Sequence, residues 1–166
     1  MEKVIYPLKI FLKLGKDSET AYNGRQTIRE YKEFLQLHTH TWFGTSALAL
    51  GINKTRKEEF TRAIKEGQVV EIYFGIGKVY DGVNEIYAKA KVLEIVTGRS
   101  KIVSPEPILM PKLWQLACRE TWIKIEGLVE VGEEDRIEKF KIASTGNELK
   151  WACERSRLQF GYIVRK

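Results

Sequence analysis

Two neighbouring segments with strand-like patterns restrict the fold of this chain most strongly. The segment QVVEIYFG (68–75) reads as a strand, and NEIYAKAKVLEIV (84–96) places apolar residues such as Ile86 on one face and lysines such as Lys89 on the other. A strand with one apolar and one charged face is typical of a half-exposed position in an antiparallel sheet. The turn residues between the two segments, above all Asp81-Gly82, predict a hairpin. The chain is therefore expected to be built around an antiparallel sheet.

Further strands and helices are predicted on both sides of this hairpin. Apolar and polar residues alternate or cluster as in strands at 4–14, 121–131, 137–143 and 161–166. Helical spacing of apolar residues occurs at 25–37, at 55–66 and within 147–160. Residues 97–113 form a less regular connection, and no repeat or internal linker is visible. The pattern predicts one α+β domain over 1–166, with a curved, mostly antiparallel sheet or small β-barrel flanked by two or three helices.

Local signals predict where some of these elements begin and end. Thr55 and Glu58 fit a capping box at the start of the second helix, and Gly67 fits its end. Asn23-Gly24 is expected to form a turn before the first helix. Within the last helix, Trp151 is expected to lie in the core beside Cys153.

The net charge and the length of the chain limit the classes of protein to which it can belong. The chain has 166 residues and a formal net charge of +6, and a basic balance in a small domain favours a polyanionic partner, nucleic acid above all. No apolar run approaches the roughly 18 residues that a membrane-spanning helix needs. The charged N-terminal stretch does not resemble a signal peptide. A cytoplasmic location without a membrane partner is therefore expected.

Motifs for catalysis and for metal binding are missing from the sequence. Cys118 and Cys153 do not form a C-x-x-C pair, so zinc is not expected and two buried free thiols are favoured over a disulfide. In HTHTWFGTSAL (38–48), His38 and His40 would point to the same side of an extended segment, but no further ligands are evident. They are interpreted as surface histidines or as polar contacts to a ligand. No metal and no cofactor are expected.

Several stretches, in this order and spacing, carry a resemblance to a known family. They are TWFGTS, EEFTRAIKEGQVVEIYFG, VNEIYAKAKVLEIV, WIKIEGLVEV and ERSRLQFGYI. Together they cover roughly residues 38–164 and resemble the PUA-like superfamily, within it the EVE and YTH domains. The segments around the hairpin are most similar to the N-terminal DNA-specificity domains of archaeal McrB-type restriction proteins. The resemblance implies a PUA-like fold and recognition of a modified, methylated base.

The resemblance also implies which residues would bind the base. Removing a base from its stack in the duplex costs a few kcal/mol of free energy, and stacking that base on an aromatic ring recovers roughly 1–3 kcal/mol. Trp42 corresponds to the stacking tryptophan and Trp114 to a second wall, while small residues after Trp42 would allow close approach of the backbone. Tyr73, Phe74 or Tyr80 could complete the pocket. The expected base-binding residues are Trp42, Phe43, Gly44, Thr45, Ser46, Tyr73 and Trp114.

Two basic clusters are candidates for phosphate contacts. Lys54, Arg56 and Lys57 lie at a predicted helix start, where the helix dipole also favours anions. Arg155 and Arg157 match the basic stretch near the end of the family's domain. Each cluster could instead be ordinary surface charge.

Three functions are therefore hypotheses for this chain. The first is a non-catalytic module that flips a methylated base of DNA into an aromatic pocket, as the front piece of a larger restriction protein or complex with a GTPase motor and a nuclease. The second is an RNA-binding domain that reads a modified base. The third is a hydrolase or small-molecule enzyme that uses His38, His40 and Cys118.

Overall fold

The computed structural model of the chain describes residues 2–77 and 84–166 and contains both strands and helices. The strands are β1 (Lys9–Leu14), β2 (Thr41–Thr45), β3 (Val70–Ile76), β4 (Glu85–Ile102), β5 (Arg119–Glu130), β6 (Phe140–Ile142) and β7 (Phe160–Arg165). The α-helices are α1 (Gly24–Leu35), α2 (Lys54–Lys65) and α3 (Leu149–Arg155). The expected α+β class is confirmed. The predicted turn Asp81-Gly82 and Tyr80 lie outside the described residues.

The strands form one sheet in the order β2-β5-β4-β3-β1-β7-β6. Adjacent strands in this sheet run antiparallel except for β1 and β3, which run parallel. In that pair, Ile10 lies opposite Ile72 and Leu14 opposite Ile76. The predicted pairing of the two hairpin segments is confirmed by Val70, which lies opposite Val92. The sheet is therefore mixed, with a parallel pair at its centre.

Successive residues of β1 pack into two different apolar clusters, one on each face of the sheet. Ile10 and Leu12 belong to the larger cluster, which also includes residues of α1 and α2, whereas Phe11 joins Tyr73 and residues of α3 in a smaller one. This follows from the two-residue period of a strand. It explains why β1 is apolar along most of its length, since both of its faces are covered.

The helix boundaries depend on side-chain caps. Asn23 caps α1: its side chain accepts from the backbone N–H of Gln26, and the Gln26 side chain accepts from the backbone N–H of Asn23. Asn23-Gly24 therefore begins a helix rather than forming a separate turn. Helix α2 is capped by Asn53, not by Thr55, because Asn53 accepts from the N–H of Arg56. The expected end at Gly67 is confirmed, and its φ of +84° suits glycine.

Two strands differ from the sequence-based prediction. β4 continues to Ile102, six residues past the predicted end at 96, and pairs with β5 through several register shifts. β2 was not predicted as a strand, and it exists because it pairs with β5 from Thr41–Ile125 to Thr45–Thr121. Its local sequence is short and contains Gly44, so pairing with a distant segment determines its conformation.

A buried ionic network connects the central strands with the end of the chain. The fully buried carboxylate of Asp135 accepts hydrogen bonds from Lys89 at 2.7 Å and Arg165 at 2.5 Å. The pair of Lys9 and Glu71, which is also buried, lies beside it, with Nζ and Oε1 3.0 Å apart. The network therefore joins β1, β3, β4 and β7 on the side of the smaller apolar cluster. Among the described residues, no helix has both the length and the apolar character that crossing a membrane requires.

Replacement of Asp135 by Asn should lower the free energy of unfolding at pH 7. Burial raises the pKa of Asp135, but Lys89 and Arg165 outweigh it, so the pKa lies below the ordinary 3.8. The ionised carboxylate therefore stabilises the fold at pH values above its ordinary pKa of 3.8. This contribution is lost as the pH falls through the lowered pKa of the folded protein. Breaking a buried pair whose partners are partly exposed should cost roughly 2–3 kcal/mol.

Urea denaturation at pH 7 and at acid pH measures this effect. The control is Glu133→Gln, because the Glu133 side chain is 91% exposed. A loss in Asp135→Asn that is no greater than in the control, or that persists undiminished at acid pH, would contradict the assigned role.

Candidate functional site

A cleft of about 890 Å³ lies at the ends of β1 and β2. One wall consists of residues 12–18, which are the end of β1 and the loop after it, and another consists of residues 43–47, the end of β2 and the first residues of the next loop. Cys153, Glu154, Arg157 and Gln159 from the C-terminal part of the chain complete the lining together with a few other residues. A volume of this size is typical of cavities that bind small organic groups.

A second, smaller cavity adjoins the cleft, and we call it the aromatic hollow. It has a volume of about 30 Å³, and Tyr31, Phe43, Trp114 and Trp122 are its aromatic lining. Tyr31 and Trp114 are stacked, with ring centroids 5.2 Å apart. Phe43 lines both cavities. The hollow is too small for a planar base but has room for a methyl group or a water molecule.

The loop after β1 is fixed between the two cavities by polar contacts. Trp114 Nε1 donates to Asp17 at 2.9 Å, and Arg119 Nη1 donates to Glu19 at 2.9 Å. The hydrogen bond from Arg119 is the main reason that the pKa of Glu19 lies below its ordinary value. The charge of Arg119 is thus balanced by acidic groups of the same loop.

Three other cations at the cleft are not balanced in this way. The half-buried Lys13 and the exposed Lys16 and Arg157 line the cleft, and in the described part of the chain none of them forms an ion pair. Sequence analysis had not identified Lys16, Asp17 or Arg119. The only local feature that could have indicated these residues was the polar character of the loop after β1. The position of that loop at the cleft depends on the parallel pairing of β1 with β3.

Several residues predicted to bind a base or a phosphate lie together at this site. Phe43, Gly44, Thr45 and Ser46 line the cleft, and Arg157 lines it as well although it is more than 100 positions away in the chain. Trp114 lines the aromatic hollow rather than the cleft.

The expectation that Trp42 has an open ring face is wrong. Its side chain is only 1% exposed, its Nε1 donates to Glu106 at 3.0 Å, and the ammonium of Lys124 lies 5.8 Å from its ring centroid. Since side chains alternate along β2, Trp42 and Phe43 point to opposite sides of the strand. A base cannot stack on a covered ring. Phe43 is also buried, at 5% exposure, and packs against Tyr31 and Phe74, so the groups that a base in the cleft could contact on this wall are mainly the small residues 44–47.

Other aromatic residues also differ from expectation. Tyr73 and Phe74 are fully buried, so neither offers a face to a base. Trp122 is also buried, and its Nε1 donates to the carbonyl oxygen of Ile102. Trp151 was expected in the core and is 48% exposed, because α3 turns Leu149, Ala152 and Cys153 inward instead.

The basic residues of α2 lie away from the cleft. Lys54, Arg56 and Lys57 are not among its lining residues, and the same is true of Arg155. Arg56 donates to Glu59 at 2.8 Å and lies 4.8 Å from the ring centroid of Tyr162. The structure therefore separates the α2 cluster from the cleft and brings only Arg157 of the predicted cations to it.

The histidines and cysteines do not form a common site. His38 stacks on Phe34, neither histidine lines the cleft, and among residues 2–77 and 84–166 no group of three His, Cys, Asp or Glu side chains could hold a metal ion. Both cysteines are free thiols, as predicted, but Cys118 is exposed whereas Cys153 is buried. Burial raises the pKa of Cys153 to about 11, so this cleft-lining thiol is protonated at neutral pH and is a poor nucleophile.

Comparison with known proteins identifies no relative. No family model matches the chain, no curated protein sequence matches it, and no solved structure matches its fold.

Substitution of Gly44 by Ala should destabilise the protein. A Cβ at this position would lie 2.6 Å from Cζ3 of Trp122, and overpacking of this kind costs roughly 1–3 kcal/mol. Gly98→Ala is the matched control, because a Cβ there meets nothing within 4 Å. Thermal melting compares the two variants, and a Gly44→Ala variant as stable as the wild type would show that Trp122 does not pack against β2 as described.

Proposed function

We propose that this chain is a nucleic-acid-binding module of PUA-like type that holds an extruded, methylated base of DNA in the cleft. The observation that carries the proposal is the convergence of Phe43–Ser46 and Arg157 on one cavity beside an aromatic hollow. The resemblance implies base contacts at residues 43–46 and a phosphate contact at Arg157, independently of their positions in the fold. The resemblance to McrB-type domains favours DNA over RNA.

The proposed arrangement assigns different parts of the base to the two cavities. The planar ring occupies the cleft beside the small residues 44–47, and the buried Phe43 belongs to the same wall. Its methyl group enters the aromatic hollow, whose size and four aromatic rings suit one small apolar group. The polar residues that also line the hollow are Asp17, Thr27 and Arg119; Asp17 accepts from Trp114, and Arg119 donates to Glu19. Burial of a methyl group contributes about 0.8 kcal/mol. This free energy corresponds to a preference of a few fold in affinity for the methylated over the unmodified base. Hydrogen bonds to the edge of the base increase the preference further.

The phosphates of the flanking nucleotides would contact the unbalanced cations. Lys16 and Arg157 belong to different walls of the same cleft and have no acidic partner in the described residues. Phosphate neutralisation by such groups supplies most of the affinity for nucleic acid and makes binding salt-dependent.

The proposal includes a biological setting that depends on the resemblance. The module would act without catalysis of its own in the cytoplasm and would direct a GTPase motor and a nuclease of a restriction complex to modified DNA. The hydrolase hypothesis requires His38, His40 and Cys118, and none of these three residues lines the cleft, which supports a binding role.

Charge reversal at the cleft should weaken binding to DNA. Labelled duplexes that contain one N6-methyladenine or one 5-methylcytosine are titrated beside the unmodified duplex and matched RNA. The wild type should prefer at least one modified DNA duplex. Lys16→Glu with Arg157→Glu should lower the affinity at least tenfold and reduce the slope of log K against log salt by roughly 0.9 for each lost contact.

The matched control reverses the charge of two lysines of α2 by the substitutions Lys54→Glu and Lys57→Glu, and it tests whether the other basic cluster binds DNA. A greater loss in this control than in the cleft variant would place the phosphates on α2 and contradict the proposed site. Equal affinity for every duplex would contradict base recognition, and a preference for RNA would replace the restriction role by the RNA-binding alternative.

A further inference from the structure

Arg119, the first residue of β5, lies where the cleft and the aromatic hollow meet. It lines both cavities, and its side chain is 14% exposed. The terminal nitrogens of its guanidinium donate to both carboxylate oxygens of Glu19, from Nη1 to Oε1 at 2.9 Å and from Nη2 to Oε2. Nη1 also donates to the carbonyl oxygen of Cys118. Arginine binds carboxylates and phosphates alike through such a pair of parallel hydrogen bonds.

Glu19 is less firmly held than Asp17, the other acid beside Arg119. The Oδ2 atom of Asp17 accepts from the hydroxyl and the backbone N–H of Thr20 and from Nε1 of Trp114, and the Asp17 side chain is 15% exposed. The Glu19 side chain is 34% exposed. A partly exposed carboxylate returns to water at little cost in free energy, so Glu19 can leave Arg119 while Asp17 stays in place.

We infer that Arg119 is a further phosphate-binding residue of the cleft, and that in the free protein the carboxylate of Glu19 occupies the place of a phosphate on it. When DNA binds, a backbone phosphate replaces this carboxylate. Arg119 is paired with an anion before and after the exchange, so its charge is never left unpaired beside the cavities. The inference rests on the proposed function, because it presumes that DNA phosphates lie along the cleft.

The surroundings of Arg119 favour this exchange. Lys16 and Arg157 line the same cleft, and phosphates held by them would keep the rest of the backbone close to Arg119. A phosphate that is already tethered in this way competes with Glu19 at a high effective concentration. The wild type therefore binds DNA more weakly than its cations alone would allow, and removal of the Glu19 carboxylate should expose the difference.

Glu19→Gln should bind DNA more tightly than the wild type. The neutral amide competes poorly for Arg119, so the affinity for the labelled duplex with one 5-methylcytosine should rise about fivefold, the upper limit for a partly exposed ion pair. Glu154→Gln is the matched control, because the exposed Glu154 also lines the cleft but is not among the acids paired with Arg119. It removes the same charge and should raise the affinity by no more than about twofold, since salt screens a charge that makes no direct contact.

Two further variants separate displacement from an effect of net charge. Glu19→Asp keeps the charge but is one methylene shorter, so its carboxylate reaches Arg119 less well and the affinity for DNA should still rise. Arg119→Gln should lower the affinity and reduce the slope of log K against log salt by roughly 0.9. In that background Glu19→Gln should gain no more than the control. Because Glu19 is exposed, its two single variants should fold, and they decide the question if Arg119→Gln does not.

The outcomes separate this inference from the proposed function. Equal gains in Glu19→Gln and Glu154→Gln, with Glu19→Asp unchanged from the wild type, would show that only net charge matters. That result would overturn the masking of Arg119 and leave DNA binding in place. A loss of affinity in Glu19→Gln would also overturn it, because the ion pair would then support binding. No binding of the wild type to any duplex would overturn the proposed function itself.

Discussion

The parallel pairing of β1 with β3 is the constraint on which the rest of the structure depends. Because the two strands run in the same direction, Leu14 lies beside Ile76 and the loop after β1 emerges next to Gly77, where both line the cleft. An antiparallel β1 would send this loop to the opposite end of the sheet. Gly75 leaves space for the ring of Phe11, since a Cβ there would lie 2.6 Å from that ring.

Strands β1 and β3 are buried on both faces, and the two sides of the sheet have different roles. On one side, Lys9 and Glu71 belong to the ionic network around Asp135, which anchors the last strand through Arg165. On the other side, the larger apolar cluster supports Phe43 and the aromatic rings of the hollow. A rigid support of this kind allows a binding site to be formed by short loops at the strand ends.

Much of the fold could be predicted from sequence because local periodicity determines it. The hairpin strands, the three helices and the end of α2 at Gly67 follow from such patterns. The pairing of β2 with β5 depends on contacts that are about 80 residues apart in the chain. Because β2 was not predicted, the alternation of its side chains could not be used, and both Trp42 and Phe43 were assigned to the site although only Phe43 lines the cleft. The position of the loop around Asp17 depends likewise on long-range pairing and had no local signal.

Occupation of the cleft by a base is tested most directly by an amide-shift titration of the nitrogen-15-labelled protein with the DNA duplex that contains one 5-methylcytosine. If the base enters the cleft, the largest shifts should occur in residues 12–18 and 43–47 and at Arg157, which line it. Shifts confined to α2 around Lys54 and Lys57, with residues 43–47 unchanged, would contradict base capture in this cleft.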